Sequence, residues 1–299
     1  MRTGSAIPVN NDPARSAGED RVGGRIDAHQ HFWKFDPIRD SWIGPDMSVI
    51  QRDFLPGDLL PVLQAAGIDG CVVVQSDQSE EENEFQLKHA ANNAFIKGVV
   101  GWIDLQAPAV EERLAYFSRF PKLKGFRHVL QGEKDRALML KPAFKRGIGS
   151  LKKWGYTYDI LIYPDQLGYT REFAATFPDQ LFVIDHIAKP DIKAKKLTAE
   201  WAKAIRDVAR QENVYCKISG MVTEADWAAW TPDELRPYLD TVIEAFGTER
   251  VLYGSDWPVC LVAASYNEVI QIVRDYFSSF SKDEQDAFFG KNATRFYHL

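Results

Sequence analysis

Cysteine is scarce in this sequence: three residues among 299, at Cys71, Cys216 and Cys260. An odd, widely spaced set offers neither a disulfide framework nor a CxxC redox or metal pair. Each thiol lies in or beside an apolar run, which reads as buried and reduced in a cytoplasmic protein. No paired base is in view for a cysteine nucleophile. No apolar run reaches the ~18 residues of a membrane span. The N-terminus lacks the apolar core, about 7–15 residues long, of a secretory signal. An excess of positive charge is missing as well. Lys and Arg total 36 against 42 Asp and Glu, a net charge of −6. A mildly acidic surface argues against nucleic-acid or anionic-membrane partners, which need a basic patch. There is no P-loop, no G-x-S-x-G and no Gly-rich nucleotide turn.

What is present is ordinary for a soluble globular chain, with 45% hydrophobic and 26% charged residues. Residues 1–24 are polar and rich in Gly, Pro, Ser and Asn, and read as a flexible extension. Residues 25–299 read as one domain, monomeric or in a homo-oligomer. Short apolar runs rich in β-branched and aromatic residues are expected strands at 25–31, 70–75, 98–103, 123–130, 157–163, 181–186, 213–219 and 251–256. Helical patterns are expected at 58–66, 80–95, 110–120, 138–154, 198–211 and 232–246, and the charged run 191–196 reads as an exposed helix start. The strand runs are nearly continuous in apolar residues, as for parallel strands buried on both faces. Eight strands alternating with helices, at close to the ~30 residues of one βα unit, predict an α/β fold of the (β/α)8 TIM-barrel type. A doubly wound open sheet is the alternative.

In such a barrel the active site lies at the C-terminal ends of the strands. Those ends carry Asp27-Ala28-His29-Gln30-His31, Gln75, Trp102, Arg127-His128, Asp185-His186, Lys217 and Ser255-Asp256-Trp257. Four of the six histidines fall there, and only His89 and His298 do not. Alternation along a strand puts His29 and His31 on one face, where they can share a metal ion or a substrate oxygen. Asp256 suits a general base acting on water. Of the neighbours Arg127 and His128 only one can face the interior, and Arg127 is the inward choice. Lys189 and Lys217 can reach the pocket, and Trp33, Trp102 and Trp257 can wall a ligand. Each has a plainer reading: packed histidines, a turn-capping Asp, a solvated Lys, core tryptophans.

Taken together, Asp27-Ala-His-Gln-His-Phe-Trp33, Gly125-Phe-Arg-His128, Asp185-His186 with Lys189-Pro190, the stretch from Lys217 to Trp227, and Gly254-Ser-Asp-Trp-Pro-Val-Cys260 carry a resemblance. From about residue 25 to the C-terminus the chain resembles the amidohydrolase superfamily, and within it the lactonase branch that includes bacterial L-fuconolactonases. The resemblance implies a cytoplasmic hydrolase of carboxylic ester bonds that opens a small sugar-acid lactone in carbohydrate catabolism. Catalytic roles fall on Asp256, His29, His31 and His186, the histidines polarising the carbonyl and Asp256 serving as base. Substrate contacts fall on Arg127, His128, Gln75, Trp33, Trp102, Lys189 and Trp257. The sequence departs from the binuclear members, which carry a bridging lysine on the fourth strand and a histidine on the fifth. Here those strands supply Arg127-His128 and Tyr158-Asp159. At most a mononuclear set remains, of His29, His31, His186 and Asp256. The expectation is therefore no required cofactor or one divalent metal, zinc first. A zinc-dependent decarboxylase with the same H-x-H start and a non-catalytic sugar-binding barrel are the alternatives.

Overall fold

The computed structural model describes residues 24–299; all but the last residue of the expected N-terminal extension lies outside the described residues. Eight parallel strands pair in chain order: β1 Ile26–Gln30, β2 Gly70–Val74, β3 Ile96–Gly101, β4 Leu123–His128, β5 Thr157–Ile160, β6 Phe182–Ile184, β7 Val214–Ile218 and β8 Val251–Tyr253. The seam between β8 and β1 is drawn together just past β8. His31 N–H donates to Trp257 O at 2.7 Å, and Asp256 N–H donates to His29 O at 2.8 Å. The expected (β/α)8 barrel is what forms. Eight helices surround it: α1 Pro56–Ala65, α2 Glu80–Asn92, α3 Val110–Phe117, α4 Pro142–Leu151, α5 Leu167–Thr176, α6 Ala199–Ala209, α7 Pro232–Phe246 and α8 Tyr266–Phe277. Among the described residues no helix is long and apolar enough to cross a membrane.

Several boundaries differ from the sequence reading. β3 starts at Ile96, because Cys71 pairs with Ile96 and the charged Lys97 breaks the apolar run. The 138–154 pattern divides into a turn at Leu138–Leu140 and α4, which starts with Pro142 in the first helical turn. The 191–196 run is not a helix start. Asp191 Oδ1 accepts from Ala194 N–H at 3.1 Å and closes one short turn, while α6 begins after Thr198, whose Oγ1 accepts from Trp201 N–H at 3.3 Å. Helices α5 and α8 were not anticipated, although α8 opens on a Ser265–Glu268 capping box.

The lower barrel interior is filled by Ile26, Ala28, Val72, Val74, Val100, Val183 and Leu252. Phe296 and Tyr297 of the C-terminal helix Asn292–Tyr297 pack on this layer. A separate, larger core lies between strands and helices, as two-sided burial of parallel strands requires. All three cysteines are buried and unbridged.

β1 contains a bulge that matters for function. Asp27 pairs with Cys71 but Gln30 pairs with Val73, so β1 carries one extra residue. Ile26 and Ala28 therefore face the lower layer, while His29 and His31 both reach the rim. Asp27 turns away and ties β1 to the far side of the seam. Its Oδ1 accepts from Ser255 N–H at 2.9 Å and its Oδ2 from Tyr266 O–H at 3.1 Å. Close approach at this seam requires Gly254, where a Cβ would lie 2.7 Å from His29 Cβ.

Candidate active site

The ends of β1, β6 and β8 converge on one carboxylate oxygen. Asp256 Oδ1 lies 3.3 Å from His31 Nε2, 3.8 Å from His29 Nε2 and 3.9 Å from His186 Nε2. The His29 ring centre is 5.0 Å from that of His31 and 4.4 Å from that of His186. All four side chains are buried.

The other ring nitrogens fix what these atoms can do. His31 Nδ1 lies 2.8 Å from Val74 O, a carbonyl that only accepts, so Nδ1 carries the hydrogen. His29 Nε2 faces Arg127 Nη1 at 3.4 Å, a group that only donates, and His29 Nδ1 lies 3.2 Å from Asp185 Oδ1. His29 Nδ1 is shared between Asp185 Oδ1 and the ammonium of Lys217, which lies 3.2 Å away. His186 Nδ1 meets Ser219 Oγ at 2.9 Å, a hydroxyl that suits either tautomer. Burial pushes His29 and His186 well below the ordinary histidine range. Burial alone would raise the Asp256 carboxyl, but His186, His31 and Lys189 hold it below the usual range. Three ring nitrogens thus crowd one buried carboxylate oxygen. Two overlapping groups have the spacing to hold a divalent metal such as zinc: His29, His31 and Asp256, and His29, Asp185 and His186, with His186 Nε2 also 3.9 Å from Asp256 Oδ1. His29 Nδ1 against Asp185 is the outer hydrogen bond that orients ligating histidines.

The space beside His29 already holds two cations. Lys217 Nζ, fully buried, lies 2.5 Å from Asp159 Oδ2, 3.0 Å from Asp185 Oδ1 and 3.2 Å from His29 Nδ1. Arg127 Nη1 donates to Asp185 Oδ2 at 3.0 Å. Tyr297 O–H donates to Asp159 Oδ2 at 2.8 Å, so the C-terminal helix helps hold this charge network. Burial would raise the Asp185 carboxyl, but Lys217, His29 and Arg127 hold it well below its usual range. Two fixed positive charges here are hostile to a second metal ion, whatever the carboxylates nearby.

Arg127 points inward, and Gln75 braces it: Arg127 Nη2 donates to the Gln75 carbonyl, and Gln75 Nε2 donates to Arg127 O at 3.2 Å. His128 points outward. Trp102 Nε1–H donates to its Nδ1 at 3.3 Å, and its Nε2 lies 2.7 Å from Glu133 Oε1. His128 thus sets the position of Trp102, which is half-buried. Trp33 and Trp257 are buried against Phe54, at ring distances of 5.7 and 5.2 Å. Trp33 also donates its Nε1–H to Arg52 O at 2.9 Å. These two tryptophans stand behind His31 rather than at an open wall.

His186 and Lys189 are delivered by an unusual backbone. Residues His186, Ile187, Ala188 and Lys189 have φ of 53°, 49°, 61° and 49°. A left-handed run of non-glycine residues costs roughly 1–2 kcal/mol per residue, and such strain concentrates at functional sites. Ile187 and Ala188 are buried, and Trp201 Nε1–H donates to Ile187 O at 3.1 Å, which offsets the cost. Gly220, at φ 63°, makes room for the ring; a Cβ there would lie 2.6 Å from His186 Nδ1. The sequence places Asp185 at the end of the sixth strand and Asp159 on the fifth but assigns neither a role, and it assigns none to Ser219 or Gly220.

Residues 26–299 match the amidohydrolase family model. A Burkholderia multivorans protein named L-fucono-1,5-lactonase is 41% identical over 285 residues, spanning 92% of this chain and 96% of its own. A Burkholderia ambifaria protein of the same name is 35% identical over 283 residues, again spanning 92% of this chain and 96% of its own. A crystal structure of an amidohydrolase from B. multivorans with bound zinc aligns with a TM-score of 0.88 at 41% identity, covering 92% of this chain and 99% of that one.

Proposed function

This chain belongs to the amidohydrolase family, and from that premise we propose that it is a lactonase opening L-fucono-1,5-lactone or a closely related aldonolactone by attack of water. The observation that carries the reading is the convergence of three imidazole Nε2 atoms within 3.9 Å of one buried carboxylate oxygen. His29, His31, His186 and Asp256 would hold one divalent metal. When bound, that metal supplies Lewis-acid polarisation of the lactone carbonyl.

The chain's own residues supply the rest. Asp256, ionised at neutral pH, takes the proton of the attacking water and returns it to the departing ring oxygen, a general-base role worth ~10²–10⁴-fold in rate. Arg127, fixed by Asp185 and Gln75, sets the field beside His29. Lys189 and Trp102 face the sugar at the rim. Trp33, Trp257 and His128 act at one remove, by holding His31 and Trp102 in place. Buried surroundings keep water from competing with these contacts.

A decarboxylase would need free cations for its acid substrate. Lys217 is engaged by Asp159 and Asp185, Arg127 by Asp185, and Lys189 at the rim by Glu224. A sugar-binding barrel would give the three histidines and Asp256 no task. The test is proton release on a panel of aldonolactones, with carbon dioxide release from aromatic acids as the counter-assay. Turnover of L-fucono-1,5-lactone is expected; carbon dioxide without lactone opening would contradict it.

Gly220→Ala is expected to cut kcat/KM by about 100-fold, since a 1 Å misplacement at a reacting centre costs on that order. The new methyl would collide with His186 Nδ1. Steady-state kinetics checks this; an unchanged kcat/KM would mean that the position of His186 is not critical.

A further inference from the structure

Lys189 ends the left-handed turn after β6, and Glu224 lies in the segment after β7. Their side chains meet, with Lys189 Nζ 3.3 Å from Glu224 Oε1. The two segments are also stitched by backbone, since Lys193 N–H donates to Glu224 O at 2.9 Å. Neither side chain is sealed: Lys189 is 19% and Glu224 21% exposed. Among the described residues this ion pair is the one polar side-chain contact of both groups. An ammonium has three donors and a carboxylate about four acceptor positions. Most of that capacity is unspent. Lys189 lies three residues after His186 on the same left-handed turn, which sets the pair beside the candidate site.

The pair is mostly buried yet open on one side. Its geometry fits a recognition task. A donor and an acceptor 3.3 Å apart match two adjacent hydroxyls on one ring. We propose that the Glu224–Lys189 pair reads the hydroxyl configuration of the lactone, the carboxylate accepting from one ring O–H while the ammonium donates to the oxygen of its neighbour. Glu224 is thereby a specificity-determining residue, and the substrate class is a polyhydroxylated lactone rather than a plain cyclic ester. A site built to hydrogen-bond a substrate hydroxyl discriminates far better than an apolar pocket, because the wrong epimer leaves buried polar groups unpaired. This inference rests on the lactonase reading above.

The test compares kcat and KM of wild type, Glu224→Gln, Glu224→Ala and Lys189→Met on L-fucono-1,5-lactone and L-rhamnono-1,5-lactone, which differ in hydroxyl configuration. The Glu224 variants are expected to lose about 10–100-fold in kcat/KM on the preferred lactone, mostly through KM, with kcat within about threefold. The ratio of kcat/KM between the two lactones should shift by about tenfold or more. Lys189→Met should shift the same ratio in the same direction. Equal losses on both lactones, or none, would overturn the inference while leaving the lactonase reading intact. Wild-type protein that opens neither lactone would fail that reading and take the inference with it.

Discussion

Replacing Asp256 with asparagine is expected to lower kcat for L-fucono-1,5-lactone by about 10³-fold, within the ~10²–10⁴-fold typical of a positioned general base. The amide keeps the size of the carboxylate but cannot take a proton from water. Asp256 is held ionised at neutral pH by His186, His31 and Lys189 against the effect of burial, so the wild-type group is ready to act. Asparagine keeps the backbone tie of the strand seam, Asp256 N–H to His29 O, while the side chain loses the charge that faces His31, His29 and His186. Melting temperature should therefore change little. A variant that retained most of its kcat would remove Asp256 from the proton path.

The second large effect is on stability. Lys217→Met should destabilise the protein by roughly 3–5 kcal/mol, the cost of leaving buried partners of an ion pair uncompensated. Asp159 and Asp185 both lose a cation at 2.5 and 3.0 Å. At ~2–4 °C per kcal/mol for a large domain, the melting temperature should fall by roughly 6–20 °C. Adding Asp159→Asn should recover part of the loss, because the amide oxygen can still accept from Tyr297 while the stranded charge is gone. Thermal denaturation followed by circular dichroism decides. If the single variant melts with the wild type, the Lys217 network is not what holds the barrel interior together.

The barrel was legible because its strands are short, apolar and regularly spaced. The site was legible where chemistry sits on adjacent residues. Alternation placed His29 and His31 together, and the same rule turned Arg127 inward and His128 outward. Alternation did not reveal the bulge between Asp27 and Gln30, which sets which pair of residues reaches the rim. Nor did it reveal the Lys217–Asp159–Asp185 network, whose members come from three strands and meet only when the barrel closes. The left-handed turn at 186–189 was invisible because its residues are not glycine. Tertiary burial of Ile187 and Ala188 overrides local preference there, and no local pattern records such an override. Trp33 and Trp257 were read as candidate walls. The aromatic cluster around Phe54 absorbs both, and a tryptophan's letter does not tell one fate from the other.

His29, His31, His186 and Asp256 are proposed to form one metal-assisted lactone-opening site. The decisive measurement strips the protein with chelator, adds zinc in fractional equivalents, and follows proton release from L-fucono-1,5-lactone. Activity should be lost on stripping and return in proportion to zinc up to one equivalent per chain. Full activity in the stripped protein, or a requirement for two equivalents, would contradict it.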